Sequence, residues 1–231
     1  MVDAAFGRLP LNAVAPAAPF VFEVPAQDIE SFKQLLQLSK LAPETWYNRQ
    51  EGGTYGISRQ WLKDAKEAWL GFNWRGQESY LNSVPNFKLT LDHPECGTTT
   101  LHFAALFSSR KDALPVLFMH SWPGAFFEYL PTMHILAQRY TPEDLPYHII
   151  VPSLPGFGPS TAPLAVELTY NHTAELLHRL MMDLGFETGY VAQGGDVGSS
   201  LARIMAARFA ECKAIYSPLA PPLQDCPLYI S

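Results

Sequence analysis

Hydrophobic residues recur at helical spacing in the first third of the chain. One stripe runs through residues 29–39, after a candidate cap at Asp28, and a second runs through 61–72, after a candidate cap at Ser58. The stretch between them is irregular. Because two helices alone bury little surface, this region predicts a meandering helical segment that packs on something larger.

The pattern changes near residue 86, where two alternating segments predict a β-hairpin. Short apolar runs follow, and helical patterns separate the later ones. Strands of this kind alternating with helices predict a mostly parallel sheet with helices on both faces. The hairpin strands are expected at 86–91 and 99–106, the apolar strands at 115–120, 147–152, 189–193 and 213–217, and the helices at 170–184 and 197–210.

Composition narrows the class of protein. Of the 231 residues, 48% are hydrophobic and 16% are charged, which is enough to form a core. A net charge of -6 argues against a nucleic-acid partner, whose phosphates need a basic surface. The three cysteines lack metal-ligand spacing, so we expect no metal site and a reducing, cytoplasmic location. No apolar run approaches the length of about 20 residues that spans a membrane, although peripheral membrane contact stays open.

The candidate chemistry begins at a glycine turn between the strand at 189–193 and the following helix. Gly194, Gly195, Asp196, Val197 and Gly198 match the small-x-nucleophile-x-small pattern of a nucleophile elbow. Small residues are needed there because strand and helix approach closely around a strained residue. Asp196 is therefore a candidate nucleophile. The alternative is that it only caps the helix, which a turn of this kind would favour if it stood alone.

A second motif, HSWPG at 120–124, changes that balance. It follows the strand at 115–120, where the loop in such folds gives an N–H group to an oxyanion hole facing the elbow. The expected donors are the backbone N–H groups of Trp122 and Val197. Pro123 would hold the loop, plausibly through a cis peptide bond. We expect His120 to be structural, bonded within its own loop, rather than a catalytic base.

A third segment, PSLPGFGPS at 152–160, follows the next strand. Alone it is a weak signal. Together with the other two motifs it completes the carboxyl edge of the sheet, where open α/β folds bind ligands.

These motifs resemble those of microsomal-type epoxide hydrolases. HSWPGAFFEYL is similar to the family's HGWPGSFFEF, PSLPGFGPS to PSLPGFGFS, and AQGGDVGS to the QGGDWGS elbow. FNWRGQESYLNSVPNF at 72–87 and PFVFEVPAQDIESFKQLL resemble blocks of the family's N-terminal domain. The similarity runs from about residue 19 to residue 217 and covers nearly the whole chain.

The resemblance implies an α/β-hydrolase fold preceded by a meandering helical N-terminal domain. We expect a flexible lead-in at 1–18, the N-terminal domain with the hairpin strands at 19–110, and the first half of the hydrolase core at 111–231. It further implies that Asp196 opens a small apolar epoxide through an alkyl–enzyme ester, without a cofactor. Trp122 and Val197 would then stabilise the oxyanion formed when water attacks that ester.

Two residues depart from the family's motifs. Ser121 stands where the family has glycine, and serine would resist an unusual backbone conformation there. Val197 stands where the family usually has tryptophan, which makes the wall beside the nucleophile smaller.

The family's general base is a histidine that follows the nucleophile in the chain. All seven histidines of this sequence precede Asp196 (His93, His102, His120, His134, His148, His172 and His178). We therefore expect residues 1–231 to lack the acid, the base, the lid tyrosines and the last strands. The strand at 213–217 would then form an exposed sheet edge that favours self-association.

Two functions remain open at this point. The first is an epoxide hydrolase that is impaired or inactive when these residues act alone. The second is a non-catalytic remnant that binds a ligand or a protein. A dehalogenase with an aspartate nucleophile ranks lower, because that family lacks the N-terminal domain.

Overall fold

A computed structural model describes residues 4–217, and contacts within the chain divide them into two compact units. The helical unit is Phe22–Tyr80, and the sheet unit comprises the described residues on either side of it. The helices are α1 (Ala26–Leu38), α2 (Arg59–Leu70), α3 (Trp74–Leu81), α4 (Leu130–Arg139), α5 (Tyr170–Asp183) and α6 (Val197–Arg208), and the strands are β1 (Ala18–Pro19), β2 (Asn86–His93), β3 (Gly97–Leu106), β4 (Leu114–Met119), β5 (Tyr147–Pro152), β6 (Tyr190–Gly194) and β7 (Cys212–Tyr216).

The seven described strands form one sheet in the order β1-β2-β3-β5-β4-β6-β7. The pairs β1–β2, β2–β3 and β3–β5 are antiparallel, whereas β4–β5, β4–β6 and β6–β7 are parallel. The sheet is therefore mixed, with helices on both sides. The predicted hairpin and the four predicted apolar strands are all present.

The burial of each strand explains its place in the sheet. Five consecutive residues of β5 are buried, as expected for a strand covered on both faces, whereas β7 at the edge has one buried residue. The main core lies between the central strands and helices α5 and α6, and it contains Leu117, Ile150 and Leu177, each fully buried.

Residues 4–17 pack against the sheet unit, which differs from the flexible lead-in expected for 1–18. Phe6 is 1% exposed, and its carbonyl accepts a hydrogen bond from the N–H of Phe107 at 2.9 Å. The N–H of Val14 donates to the carbonyl of Asp183 at 2.9 Å. Prolines interrupt this segment, so a search for periodic hydrophobic patterns does not detect the buried side chain of Phe6.

The contact division does not fall at residue 110. The hairpin β2–β3 belongs to the sheet unit, because β3 pairs with β5 as well as with β2. The division into 19–110 and 111–231 remains a prediction about domains.

The helical unit has the two predicted helices and a third, α3, that the periodicity did not predict. The cap prediction at Ser58 is confirmed, since its hydroxyl accepts a hydrogen bond from the N–H of Trp61. The cap prediction at Asp28 is wrong: α1 begins two residues earlier, after Pro25, and Asp28 lies in its first turn, where an acidic side chain suits the helix dipole.

No helix in residues 4–217 is both long enough and apolar enough to cross a membrane.

Two buried histidines of the sheet unit make its stability depend on pH. His102 is fully buried between Ser153 (Nδ1 to Oγ, 2.9 Å) and the amide oxygen of Asn86 (Nε2 to Oδ1, 3.0 Å). Burial lowers the pKa of His102 to about 3 and the pKa of His148 to about 4. Both rings are therefore neutral in the folded protein at neutral pH.

We expect the free energy of unfolding to fall as the pH drops from 7 to 5. An unfolded histidine titrates near its ordinary value of about 6.5, so the unfolded state takes up protons first and the stability present above that pH is lost. Each ring should contribute a loss of about 1–2 kcal/mol over this range. Urea unfolding at the two pH values measures it, with His148→Gln as the variant expected to reduce the loss. Equal stability at both pH values would contradict this prediction.

Candidate active site

The turn between β6 and α6 holds Asp196 in an unusual backbone conformation. Its φ of 48° and ψ of -119° make it the one non-glycine residue with positive φ in the described part of the chain. Such a conformation is costly and persists where the surrounding structure enforces it. The turn therefore has the geometry that the nucleophile-elbow pattern predicted.

Two glycines allow the chain to pass through this turn. A Cβ atom added at Gly194 would overlap the backbone of Gly198, and one added at Gly198 would overlap the carbonyl of Met119 at the end of β4. Gly195 has no atom within 4 Å of the corresponding position. Close packing therefore requires glycine at 194 and 198, and does not require it at 195.

The Asp196 carboxylate is directed at the loop after β4. The N–H of Trp122 donates to its Oδ2 at 2.8 Å, although the two residues are 74 positions apart in sequence. Asp196 makes no side-chain capping hydrogen bond to α6. The N–H of Trp122, and less strongly that of Val197, holds the pKa of Asp196 below its usual range. The side chain is exposed and ionised at neutral pH, as a nucleophile must be.

The loop HSWPG is held by a cis peptide bond and by the ring of His120. The peptide bond between Trp122 and Pro123 is cis. His120 is fully buried and bonded on both ring nitrogens: Nδ1 lies 2.9 Å from the carbonyl of Ser121, and Nε2 accepts from the N–H of Leu154 at 3.1 Å. Burial lowers the pKa of His120, which favours the neutral ring these contacts require. The ring thus links this loop to the loop PSLPGFGPS.

Ser121 is accommodated without backbone strain. Its φ is not positive, so serine in place of the family's glycine imposes no left-handed conformation. Its hydroxyl donates to the carboxylate of Glu128, at 2.9 Å to Oε1 and 3.1 Å to Oε2.

Two residues of this site escaped the sequence analysis. Glu128 and Tyr129 were quoted in the motif HSWPGAFFEYL but were given no role. The hydroxyl of Tyr129 donates to the carbonyl of Met119 at 3.0 Å, and burial raises the pKa of Tyr129 to about 12. The signal that could have identified them was their position in the motif, close to the loop that they contact.

Two histidines of the sheet unit lie against glutamate side chains. His93 Nε2 lies 2.7 Å from Glu175 Oε2, and His172 Nε2 lies 2.9 Å from Glu95 Oε2. Residues 4–217 contain no group of three or more His, Cys, Asp or Glu side chains arranged to hold a metal ion.

The two halves of the chain each match a known protein family. Residues 17–129 match the family "Epoxide hydrolase N terminus", and residues 115–225 match the family "alpha/beta hydrolase fold". A relative from Dothistroma septosporum that carries the name epoxide hydrolase is 41% identical over 216 residues. The aligned region is 91% of this chain and 51% of the relative. Epoxide hydrolase 1 of Sus scrofa is 30% identical over 81% of this chain and 41% of its own.

Solved structures agree with these matches. The epoxide hydrolase of Aspergillus niger superimposes with a TM-score of 0.88 and 40% identity, over 98% of this chain and 59% of its own. The juvenile hormone epoxide hydrolase of Bombyx mori gives 0.75 and 26%, over 88% of this chain and 53% of its own. The chain thus spans about half the length of the relatives that it matches. By sequence, by fold and by the elbow and loop motifs, the chain belongs to the epoxide hydrolase family.

Proposed function

We propose that Asp196 is the nucleophile in the hydrolysis of a small apolar epoxide to a vicinal diol. The observation that carries the proposal is the 2.8 Å hydrogen bond from the N–H of Trp122 to Oδ2 of Asp196. It joins the two motifs that this chemistry needs, across 74 positions of sequence. Trp122, whose N–H binds the carboxylate, is 65% exposed, and an exposed aromatic residue on this loop favours an apolar substrate.

In the first step, one carboxylate oxygen of Asp196 attacks a ring carbon of the epoxide. A C–O bond of the ring breaks, the alkoxide takes a proton from water, and the enzyme carries a hydroxyalkyl ester. Because Oδ2 is bound by the N–H of Trp122, we assign the attack to the other carboxylate oxygen, Oδ1. A carboxylate suits this role, since its ester can later be cleaved by water whereas the ether left by serine cannot.

In the second step, water attacks the carbonyl carbon of the ester and the acyl C–O bond breaks. One proton of that water goes to the oxygen of the departing diol and the other to the hydroxide left by the first step, so Asp196 returns to a carboxylate. The backbone N–H groups of Trp122 and Val197 would stabilise the negative charge that develops on the carbonyl oxygen. His120 acts as a structural residue of this loop, supported by its two ring contacts with Ser121 and Leu154. Pro123, Gly194 and Gly198 shape the loop and the turn.

For the polypeptide of residues 1–231 by itself, we expect the ester to form and to persist. No histidine in this sequence follows Asp196, so the ordinary base for the second step is not among these residues. Incubation with styrene oxide should give an intact-mass increase equal to one epoxide, stable for hours, with little diol in the same tube.

The same experiment separates the alternatives. Rapid diol formation without a lasting adduct would show that these residues contain a working base, which would contradict the expected impairment. Neither adduct nor diol would contradict the catalytic role of Asp196 and favour a ligand- or protein-binding module.

The proposal has two further parts, which concern self-association and location. Self-association through β7 is supported by the exposed side chains of Ile215 and Tyr216 at the edge of the described sheet. A cytoplasmic location is supported by Cys96 and Cys212, which are both free thiols.

A further inference from the structure

One carboxylate, that of Glu128, forms hydrogen bonds to both sides of the loop that carries the N–H of Trp122. Glu128 accepts the hydroxyl of Ser121 on both oxygens, at 2.9 and 3.1 Å, and its Oε1 accepts the N–H of Ala125 at 3.1 Å. Ser121 immediately precedes Trp122, and Ala125 follows it by three positions. Both flanks of the donor are therefore attached to the same side chain.

This attachment adds to the contact of His120 Nδ1 with the carbonyl of Ser121, which belongs to the same peptide unit as the Trp122 N–H. Trp122 and Pro123 are both exposed, so packing does not fix the direction of the Trp122 N–H. A hydrogen bond weakens steeply when its angle or distance departs from the optimum. An N–H group that must meet a carboxylate at 2.8 Å therefore depends on how its flanking residues are held.

The packing of Gly124 supports the same conclusion independently. A Cβ atom added there would overlap Oε1 of Glu128 and would lie 2.8 Å from the hydroxyl oxygen of Ser121. The φ of Gly124 is not positive, so glycine is not needed for backbone freedom at this position. Glycine leaves space for the carboxylate to reach both partners.

We propose that Glu128 is a positioning residue that, through Ser121 and Ala125, aims the backbone N–H of Trp122 at Oδ2 of Asp196. The assignment rests on the proposed role of Trp122 as an oxyanion-hole donor. Serine at position 121 takes part in this arrangement, because glycine there would offer no hydroxyl.

The titration of Asp196 distinguishes positioning from simple charge. Removing the negative charge of Glu128 by itself would favour the ionised form of Asp196 and lower its pKa. Releasing the loop would weaken the Trp122 hydrogen bond and raise that pKa, because this bond is the main cause of its depression. The two explanations therefore predict shifts of opposite sign. The other titratable group of the loop is His120, whose pKa the Glu128 charge raises to a minor extent.

We would measure the Asp196 titration by carbon-13 NMR of the 231-residue chain with labelled aspartate, assigning the signal with Asp196→Asn. Glu128→Ala, Ser121→Ala and Gly124→Ala should each raise the pKa of Asp196, by about 0.5–1 unit. Ser121→Ala changes no charge and removes only the hydroxyl of a half-buried side chain. Glu128→Gln is the charge control: it removes the charge and keeps an oxygen acceptor for the loop, so the pKa of Asp196 should stay unchanged or fall.

A pKa of Asp196 that is unchanged or lower in Glu128→Ala and Ser121→Ala would overturn the proposal. The measurement needs no epoxide, so it can succeed or fail separately from the proposed reaction. If the variants raise the pKa while styrene oxide gives no adduct, the positioning role stands and the proposed function fails.

Discussion

Replacing Gly198 with alanine should destabilise the sheet unit by about 1–3 kcal/mol and abolish reaction with styrene oxide. The added methyl group would overlap the carbonyl of Met119 and lie 3.1 Å from its Cβ atom. The end of β4 cannot yield easily, because Met119 is fully buried and pairs with Gly194 across the sheet. The helix must therefore shift, and Asp196 at its start must shift with it.

Gly195→Ala is the matched control, three positions away in the same turn. Its added methyl group meets no atom within 4 Å, and its φ is not in the left-handed region. We expect its stability to stay within about 1 kcal/mol of the parent, since alanine also restricts the unfolded chain. Urea unfolding compares the two variants. Equal losses at both positions would show that close packing around the elbow is not what requires glycine.

Substituting Asp196 with asparagine should reduce the rate of adduct formation by at least about a thousandfold. The neutral amide is a poor nucleophile, yet its oxygen can still accept the N–H of Trp122 and it has nearly the same shape. Adduct formation with styrene oxide, followed by intact mass over time, measures the effect.

Stability provides the control for this variant. Asparagine is as good a helix cap as aspartate, so the free energy of unfolding should change by less than about 1 kcal/mol. A variant that stays folded and loses reactivity would separate the nucleophile from the helix cap. A variant that keeps full reactivity would remove Asp196 from the mechanism.

The sequence predicted the parts of this fold that depend on local patterns. The apolar strands, the Ser58 cap and the elbow glycines each follow from periodicity or from the space a residue needs. The packing of Phe6 was not predicted, and the cap of α1 was predicted at the wrong residue. Phe6 lies in an aperiodic segment, and Asp28 is as acceptable inside a first turn as at the cap.

The candidate site also combines features that follow from a motif with features that do not. The contact between Asp196 and Trp122 could be predicted, since each is the marked position of a motif. The roles of Glu128 and Ser121 could not, because they depend on a contact across seven positions in an irregular loop. The network of His102 joins residues from two strands and a loop, and no sequence pattern indicates which buried histidine finds neutral partners.

The central claim is that the Asp196 carboxylate attacks the epoxide. The most direct test is peptide mapping by tandem mass spectrometry of the 231-residue chain after reaction with styrene oxide. The account predicts one hydroxyalkyl group, attached through an ester to Asp196. An adduct on another nucleophile, such as the thiol of Cys96 or Cys212, with Asp196 unmodified would contradict it.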